Sequence, residues 1–235
     1  MSDSVVLITG GAGNLGRAVT RAFLESGARA AVPVYKADGP GALDPLKAEF
    51  GDRLYTFALD LTTERGADAA VEQVVDWGGR LDAVAHLVGA WTGGTPLAET
   101  PVEAWDRMMD LNLKSAFLVA RAALPVLASG GGGSLVFISS RAAREGRAGN
   151  AAYAVSKAAL CTLCEAIAEE YGAAGIRANA LMPGTLDTEA NRNAMPGADR
   201  SGWTSPEEVA RRVLALAGGG GGEENGACLP VSPPA

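Results

Sequence analysis

Tyr153 and Lys157 stand four residues apart in Tyr153-Ala154-Val155-Ser156-Lys157, inside a stretch, 151–171, whose apolar residues recur at helical spacing. Residues at i and i+4 share one helix face, so an ammonium can lie beside a phenol oxygen. A free phenol titrates near pH 10, about three units above neutrality. A neighbouring positive charge favours the phenolate and lowers that value. A fall of about two units corresponds to roughly 2.7 kcal/mol and would poise Tyr153 as a proton donor or acceptor near neutral pH.

A second constellation opens the chain. The apolar run 5–9 leads into Gly10-Gly11-Ala12-Gly13-Asn14-Leu15-Gly16, and helical spacing covers 13–26. Glycines at 10, 13 and 16 let a strand turn tightly into a helix, approach a pyrophosphate closely and pack the helix on the sheet. The helix N-terminus offers free N–H groups and partial positive charge to phosphates. This is the pattern of a dinucleotide site. Its choice between cofactors is read at the end of the second strand, where an acid suits the ribose of NAD and a base the extra phosphate of NADP. Pro33-Val34-Tyr35-Lys36-Ala37-Asp38 has no acid at the tip. Tyr35 and Lys36 stand there and tilt the reading toward NADP, although Lys36 also reads as a solvated surface charge and Asp38 follows closely.

These residues need a scaffold. Short apolar runs recur at 5–9, 30–35, 54–59, 83–88, 135–139, 176–182 and 227–231. Helical segments fall at 13–26, 63–77, 102–127, 151–171 and 206–217. The alternation predicts βαβ units. The runs are near-continuous in apolar residues, as strands covered on both faces require. The expected fold is α/β: a Rossmann-type, doubly wound, mostly parallel seven-stranded sheet with helices on both faces. The whole chain, 1–235, reads as a single domain. The segment 185–203 resists assignment and is expected to form a substrate loop or lid. Two glycine runs, 130–133 and 218–222, read as flexible helix-to-strand loops.

Composition narrows the partners. The net charge is −7, which disfavours binding to nucleic-acid phosphates. No uninterrupted apolar run reaches the roughly 18 residues of a bilayer span, and the start lacks a signal-like segment. The expectation is a cytoplasmic protein with no membrane. Three cysteines, with Cys161 and Cys164 in one helical segment, suggest no disulfide framework and read as small buried residues. The lone His86 reads as packed and hydrogen-bonded. No metal site is expected.

The chain resembles the short-chain dehydrogenases/reductases over nearly its whole length. Thr9, Gly10 and Gly16 match their T-G-x-x-x-G-x-G turn, with Asn14 at the middle glycine and Gly13 in addition. The resemblance implies an altered turn that still binds cofactor, with Asn14 left-handed or donating its amide. It implies that Asp60, followed by Leu61, receives the adenine amino group, though an Asp there also suits an N-cap for the helix near Thr63. Gly89 matches the last glycine of N-N-A-G, whose other positions hold His86, Leu87 and Val88. Ser140, 13 residues before Tyr153, matches the Ser that holds the substrate oxygen; its neighbour Ser139 faces the other way. Asn112, 41 residues before Tyr153, matches the helix Asn of a proton relay through Lys157, which also reaches the nicotinamide ribose. Pro183, Gly184, Thr185 and Thr188 match positions along the nicotinamide.

The implied reaction is NAD(P)-dependent hydride transfer on a small carbonyl or alcohol substrate, in a homodimer or homotetramer paired through segments 102–127 and 151–171. Segments 89–94 and 185–196, followed by Trp203, resemble dihydropteridine reductase more closely. Trp91 and Trp203 would then face a planar ring, or else simply pack the lid. Pterin reduction is therefore an alternative, as is a dinucleotide-binding sensor or scaffold without turnover.

Overall fold

The computed structural model describes residues 1–35, 41–218 and 224–231. Seven strands form one parallel sheet: β1 (Val5–Thr9), β2 (Arg29–Val34), β3 (Leu54–Ala58), β4 (Ala83–His86), β5 (Gly133–Ile138), β6 (Ile176–Pro183) and β7 (Cys228–Val231), in the order β3-β2-β1-β4-β5-β6-β7. The order reverses between β1 and β4, so a crevice opens beyond the carboxyl ends of those strands. The eight α-helices among the described residues are α1 (Asn14–Glu25), α2 (Asp44–Phe50), α3 (Glu64–Gly78), α4 (Val102–Met109), α5 (Ser115–Ser129), α6 (Ala151–Tyr171), α7 (Glu189–Ala194) and α8 (Pro206–Ala217).

Successive strand side chains point to opposite faces, so a strand covered on both sides must be apolar throughout. In β1, Val5 and Leu7 join one core with Ala67, Val71 and Val74 of α3, Leu118 of α5, and Leu160 and Ile167 of α6. Val6 and Ile8 join the other with Val19 and Phe23 of α1 and Val209 and Val213 of α8. The fully buried Phe23 and Phe137 contribute about 1.5–3 kcal/mol each relative to exposure. The edge strand β3 departs from the continuous pattern, with Leu54 buried, Tyr55 and Phe57 partly covered, and Thr56 and Ala58 exposed.

Three differences from the sequence expectation matter for the site. The segment 102–127 is not one α-helix: a π turn, Asp110–Lys114, separates α4 from α5. Segment 185–203 contains the short helix α7, and its base is closed by a bridge between Leu186 and Thr204. Two stretches, Val102–Ser129 and Ala151–Ala174, do have the length and mean hydropathy, 1.4 and 1.3, of a bilayer span, contrary to the expectation from uninterrupted runs. Their apolar character follows from covering a sheet of Val, Leu and Ile, and half and a third of the two windows are buried within this fold.

Candidate active site

The turn after β1 has the shape expected of its glycines. Gly10 has φ +70°, a left-handed conformation that favours glycine. A Cβ on Gly16 would lie 2.0 Å from the Gly10 carbonyl oxygen, so α1 can start this close only without one. Gly11, which the sequence reading passed over, is equally constrained: a Cβ there would strike Val32 and Thr20 at 2.7 and 2.9 Å. Gly13 is the N-cap of α1 and supplies no side-chain cap, whereas α3, α7 and α8 are capped by Thr63, Thr188 and Ser205. The first-turn N–H groups of α1 thus remain open to an anion such as a pyrophosphate. Asn14 is not left-handed: the only non-glycine residue with positive φ among the described residues is Asp3. It is the first residue of α1, and its Oδ1 accepts from Arg17 at 3.1 Å. The Leu15 and Leu61 side chains are buried in the two cores, so their backbones are what they can offer a cofactor.

Beside the turn lies a cavity of about 270 Å³ lined by Val34, Tyr35, Ala58, Leu59 and Asp60. Asp60 does not cap α3, since Thr63 does so by accepting from Gly66. Its Oδ1 instead accepts from the Thr62 amide (3.0 Å) and hydroxyl (2.6 Å), and these bonds hold the carboxyl below its ordinary value. An anionic acceptor fixed at the rim of an apolar slot suits an adenine amino group. Turn, open helix end and slot together fit a dinucleotide. Lys36 lies outside the described residues.

Beyond β5, Ser139 and Ser140 diverge. Ser139 is buried and donates to the Lys157 carbonyl at 2.7 Å. The Ser140 hydroxyl accepts from the Ala142 amide at 3.2 Å and stands close enough to the Tyr153 phenol to ease its ionisation. Lys157, buried on α6, donates to the Ile138 carbonyl at 2.8 Å, and its Nζ stands 6.0 Å from the centre of the Tyr153 ring. Asn112, buried in the π turn, grips the main chain of Ala90: Oδ1 accepts from its amide (2.8 Å) and Nδ2 donates to its carbonyl (3.1 Å) and to Ser156 (2.9 Å). Asn112 and Lys157 meet at Gly89, where a Cβ would be 2.9 Å from each. Ala90 and Ser156 were missed in the sequence; for Ser156 the signal available was its place one residue before Lys157.

The electrostatics correct one expectation. Burial raises the Tyr153 phenol above its usual value, and only Ser140 pulls it back. Lys157 is itself pushed down to about 8 by burial. Lys157 donates to Ile138 and lies 6.0 Å over the centre of the ring, and burial outweighs the lowering of Tyr153 expected from its charge.

The remaining predicted residues flank the site. Pro183 ends β6 and Gly184 follows it. The Thr185 carbonyl accepts from Thr204 at 2.8 Å. Thr188 is mostly buried and caps α7, with its Oγ1 accepting from Asn191. Trp91 is exposed, and its indole N–H donates to Asn150, the residue before α6, at 2.9 Å. Trp203 lies under the Arg200 guanidinium, 5.8 Å from it. The cysteines break their expectation: Cys161 is bonded to Cys228 of β7, 67 residues away, while Cys164 stays a buried thiol. Adjacent strands and the helix covering them bring together cysteines that sequence spacing keeps apart.

The short chain dehydrogenase family model matches residues 4–199. A 3beta-hydroxysteroid dehydrogenase 2 from Eggerthella lenta is 28% identical over 98% of this chain and 94% of its own. The A-factor type gamma-butyrolactone 1'-reductase of Streptomyces virginiae is 37% identical over 80% of this chain and 74% of its own. A solved blue fluorescent protein from a metagenomic library, in complex with NADPH, superposes with a TM-score of 0.88 at 30% identity, covering 98% of this chain and 96% of that one. Matched across most of its length and folded the same way, this chain belongs to the short-chain dehydrogenases, a family of oxidoreductases.

Proposed function

We propose that Tyr153 is the group that gives and takes the substrate proton, that Ser140 orients the reacting oxygen, and that the chain works as one unit over 1–235 with 185–203 as its lid. The protein is an NAD(P)-dependent oxidoreductase that interconverts a carbonyl and an alcohol on a small organic molecule. The observation that carries the assignment of residues is that Ser140, at the carboxyl end of β5, stands close enough to Tyr153 to ease ionisation of its phenol, with Lys157 buried behind it.

A nicotinamide dinucleotide, when bound, supplies or accepts the hydride. Residues of the turn, Gly10, Gly13, Asn14 and Gly16, would hold its phosphates, and Asp60 with Tyr35 would hold the adenine end. Burial keeps Tyr153 protonated at neutral pH, so in reduction it acts first as an acid. Ser140, whose oxygen already accepts from Ala142, has its proton free to donate to the substrate oxygen or to the phenolate left behind. Asn112 and Lys157, side by side at Gly89, bring a proton in from solvent to restore the phenol after reduction and pass one out in the oxidative direction. Pro183, Gly184, Thr185 and Thr188 line the nicotinamide end.

NADP is the favoured cofactor, supported by the absence of an acid at Tyr35 and by the NADPH bound to the solved relative. The half-exposed Phe117 of α5 and Val155 of α6 support pairing of copies through these helices into a dimer or tetramer. The protein works in the cytoplasm.

The test follows NADPH absorbance with a panel of ketones. Tyr153→Phe is expected to lose at least about 100-fold in turnover while binding NADPH as the wild type does. Near-normal turnover in that variant refutes the role of Tyr153.

A further inference from the structure

The crevice beyond β5 and β6 holds a cation that the hydride chemistry does not use. Ile138 pairs with Leu181 across these strands, so the chains leave the sheet side by side and bring Arg141 abreast of Gly184. The guanidinium lies against the bare Cα of Gly184: a Cβ there would be 2.8 Å from Nη2 and 3.0 Å from both Cζ and Nε. Any larger residue at 184 would have to displace it. Arg141 directly follows Ser140, whose hydroxyl meets Tyr153. The fold therefore sets an exposed guanidinium on Gly184, one residue along the chain from the Ser140 assigned to the substrate oxygen.

Nothing in the described residues neutralises it. Glu145 on the same turn is taken by Arg147 at 2.8 Å. Asp187, three residues past Gly184, is held by both arms of Arg192 at 2.6 and 2.8 Å. Among the described residues, neither Arg141 nor Arg144 has a carboxylate partner. Arg141 is thus an unneutralised cation at Gly184 in a chain whose net charge is −7. A guanidinium presents a planar fork of N–H donors that fits a carboxylate with two parallel bonds. A positive charge there also draws anionic ligands inward.

We propose that Arg141 clamps the substrate: the alcohol or ketone turned over here carries a carboxylate, placed across a ring or short chain from the reacting carbon. The proposal rests on Ser140 and Tyr153 marking where the substrate oxygen sits. It adds the substrate class, which those residues leave open.

The probes are 4-oxocyclohexanecarboxylate, its methyl ester, and the non-reacting cyclohexanecarboxylate. Wild-type protein is expected to favour the acid over the ester at least about tenfold in kcat/KM. Arg141→Gln is expected to raise KM for the acid about 10- to 100-fold with kcat and the ester little changed, the pattern of lost uniform binding. Arg141→Lys should restore part of the preference. Calorimetry on NADPH-loaded protein should show cyclohexanecarboxylate binding that Arg141→Gln weakens, a readout that needs no turnover. Equal use of acid and ester by the wild type, or equal losses for both in Arg141→Gln, overturns the proposal. So does weaker NADPH binding in Arg141→Gln, which would hand the guanidinium to the cofactor. If Tyr153→Phe stays active, the proton-transfer reading fails by itself, and the calorimetric arm still decides the clamp.

Discussion

His86 Nδ1 lies 2.9 Å from the Thr9 hydroxyl, and this contact ties β4 to the tip of β1 where the glycine turn begins. The direction of each bond follows from its neighbours. Ser115 donates to the Leu111 carbonyl at 2.7 Å, so toward His86 Nε2, 3.2 Å away, it can only accept. The ring proton is therefore on Nε2, and bare Nδ1 accepts from Thr9, which in turn accepts from the Leu87 amide at 3.3 Å. One neutral imidazole pins the cofactor turn to the end of the π turn that carries Asn112.

A charged ring has no place in that chain of bonds, and burial, aided by the Lys157 charge, pushes His86 from 6.5 down to about 3. The chain has one His, so its imidazole nitrogen signals in NMR belong to this residue. They are expected to show the Nε2–H tautomer and no titration between pH 8 and 5. Unfolded His86 binds a proton below pH 6.5 and the folded one does not until about 3. Stability is therefore lost as pH falls through that window, by about 1.4 kcal/mol per unit from this group. His86→Asn should flatten the acid limb of a denaturation series, and an unchanged slope would show that the ring is already free to charge.

Lys157 carries the opposite burden. Its folded value of about 8 lies below the ordinary 10.5, so at pH 7 a charged ammonium is kept buried at a cost of up to about 3 kcal/mol. Lys157→Met removes that cost and loses the bond to Ile138, which offsets about 1 kcal/mol. The variant is expected to unfold at higher temperature at pH 7 while losing turnover. Between pH 8 and 10 unfolded Lys157 holds more protons than folded Lys157, so the wild type gains stability with rising pH and the gap to Lys157→Met narrows. Thermal melts at several pH values check both parts.

The strands were legible because β1, β2 and β4 to β6 are apolar on both faces, and the glycine turn because Gly10 and Gly16 answer steric demands that few other residues meet. What escaped depended on tertiary burial. The π turn at Asn112 leaves helical spacing almost intact, so periodicity cannot reveal the extra residue. The seven-residue α2 is too short for a periodic pattern to stand out. The upward shift of Tyr153 comes from its burial in the fold, which spacing to Lys157 does not contain. Nothing in the sequence singles out Arg141, because its contact with Gly184 exists only in the fold.

The Cys161–Cys228 bond was equally hidden, and it ties the helix of Tyr153 and Lys157 to the edge strand β7. A link closing 67 residues is expected to stabilise by roughly 2–4 kcal/mol. Native protein in oxidising buffer should weigh less than reduced protein by a pair of hydrogens and resist alkylation. Cys164 should stay unmodified until unfolding, because it is buried and its thiol is pushed up. Rapid native alkylation of Cys161 and Cys228 without reductant would show that the two are thiols in contact.

Gly89 offers a test of the site that removes no titrating group. Its bare Cα lets Asn112 Oδ1 and Lys157 Nζ approach a spot from which each would be 2.9 Å distant. Neither has room to retreat freely. Asn112 is held by both polar groups of Ala90, and Lys157 by Ile138. Gly89→Ala must then break one of these grips, at an overpacking cost of about 1–3 kcal/mol. Displacing Lys157 or Asn112 disturbs the proton path without removing either side chain. Turnover is expected to fall about 10- to 100-fold, as for loss of positioned acid–base groups, with NADPH affinity changed far less because the phosphate turn lies at the end of β1. Wild-type turnover in a folded Gly89→Ala would show that the two side chains need not meet there.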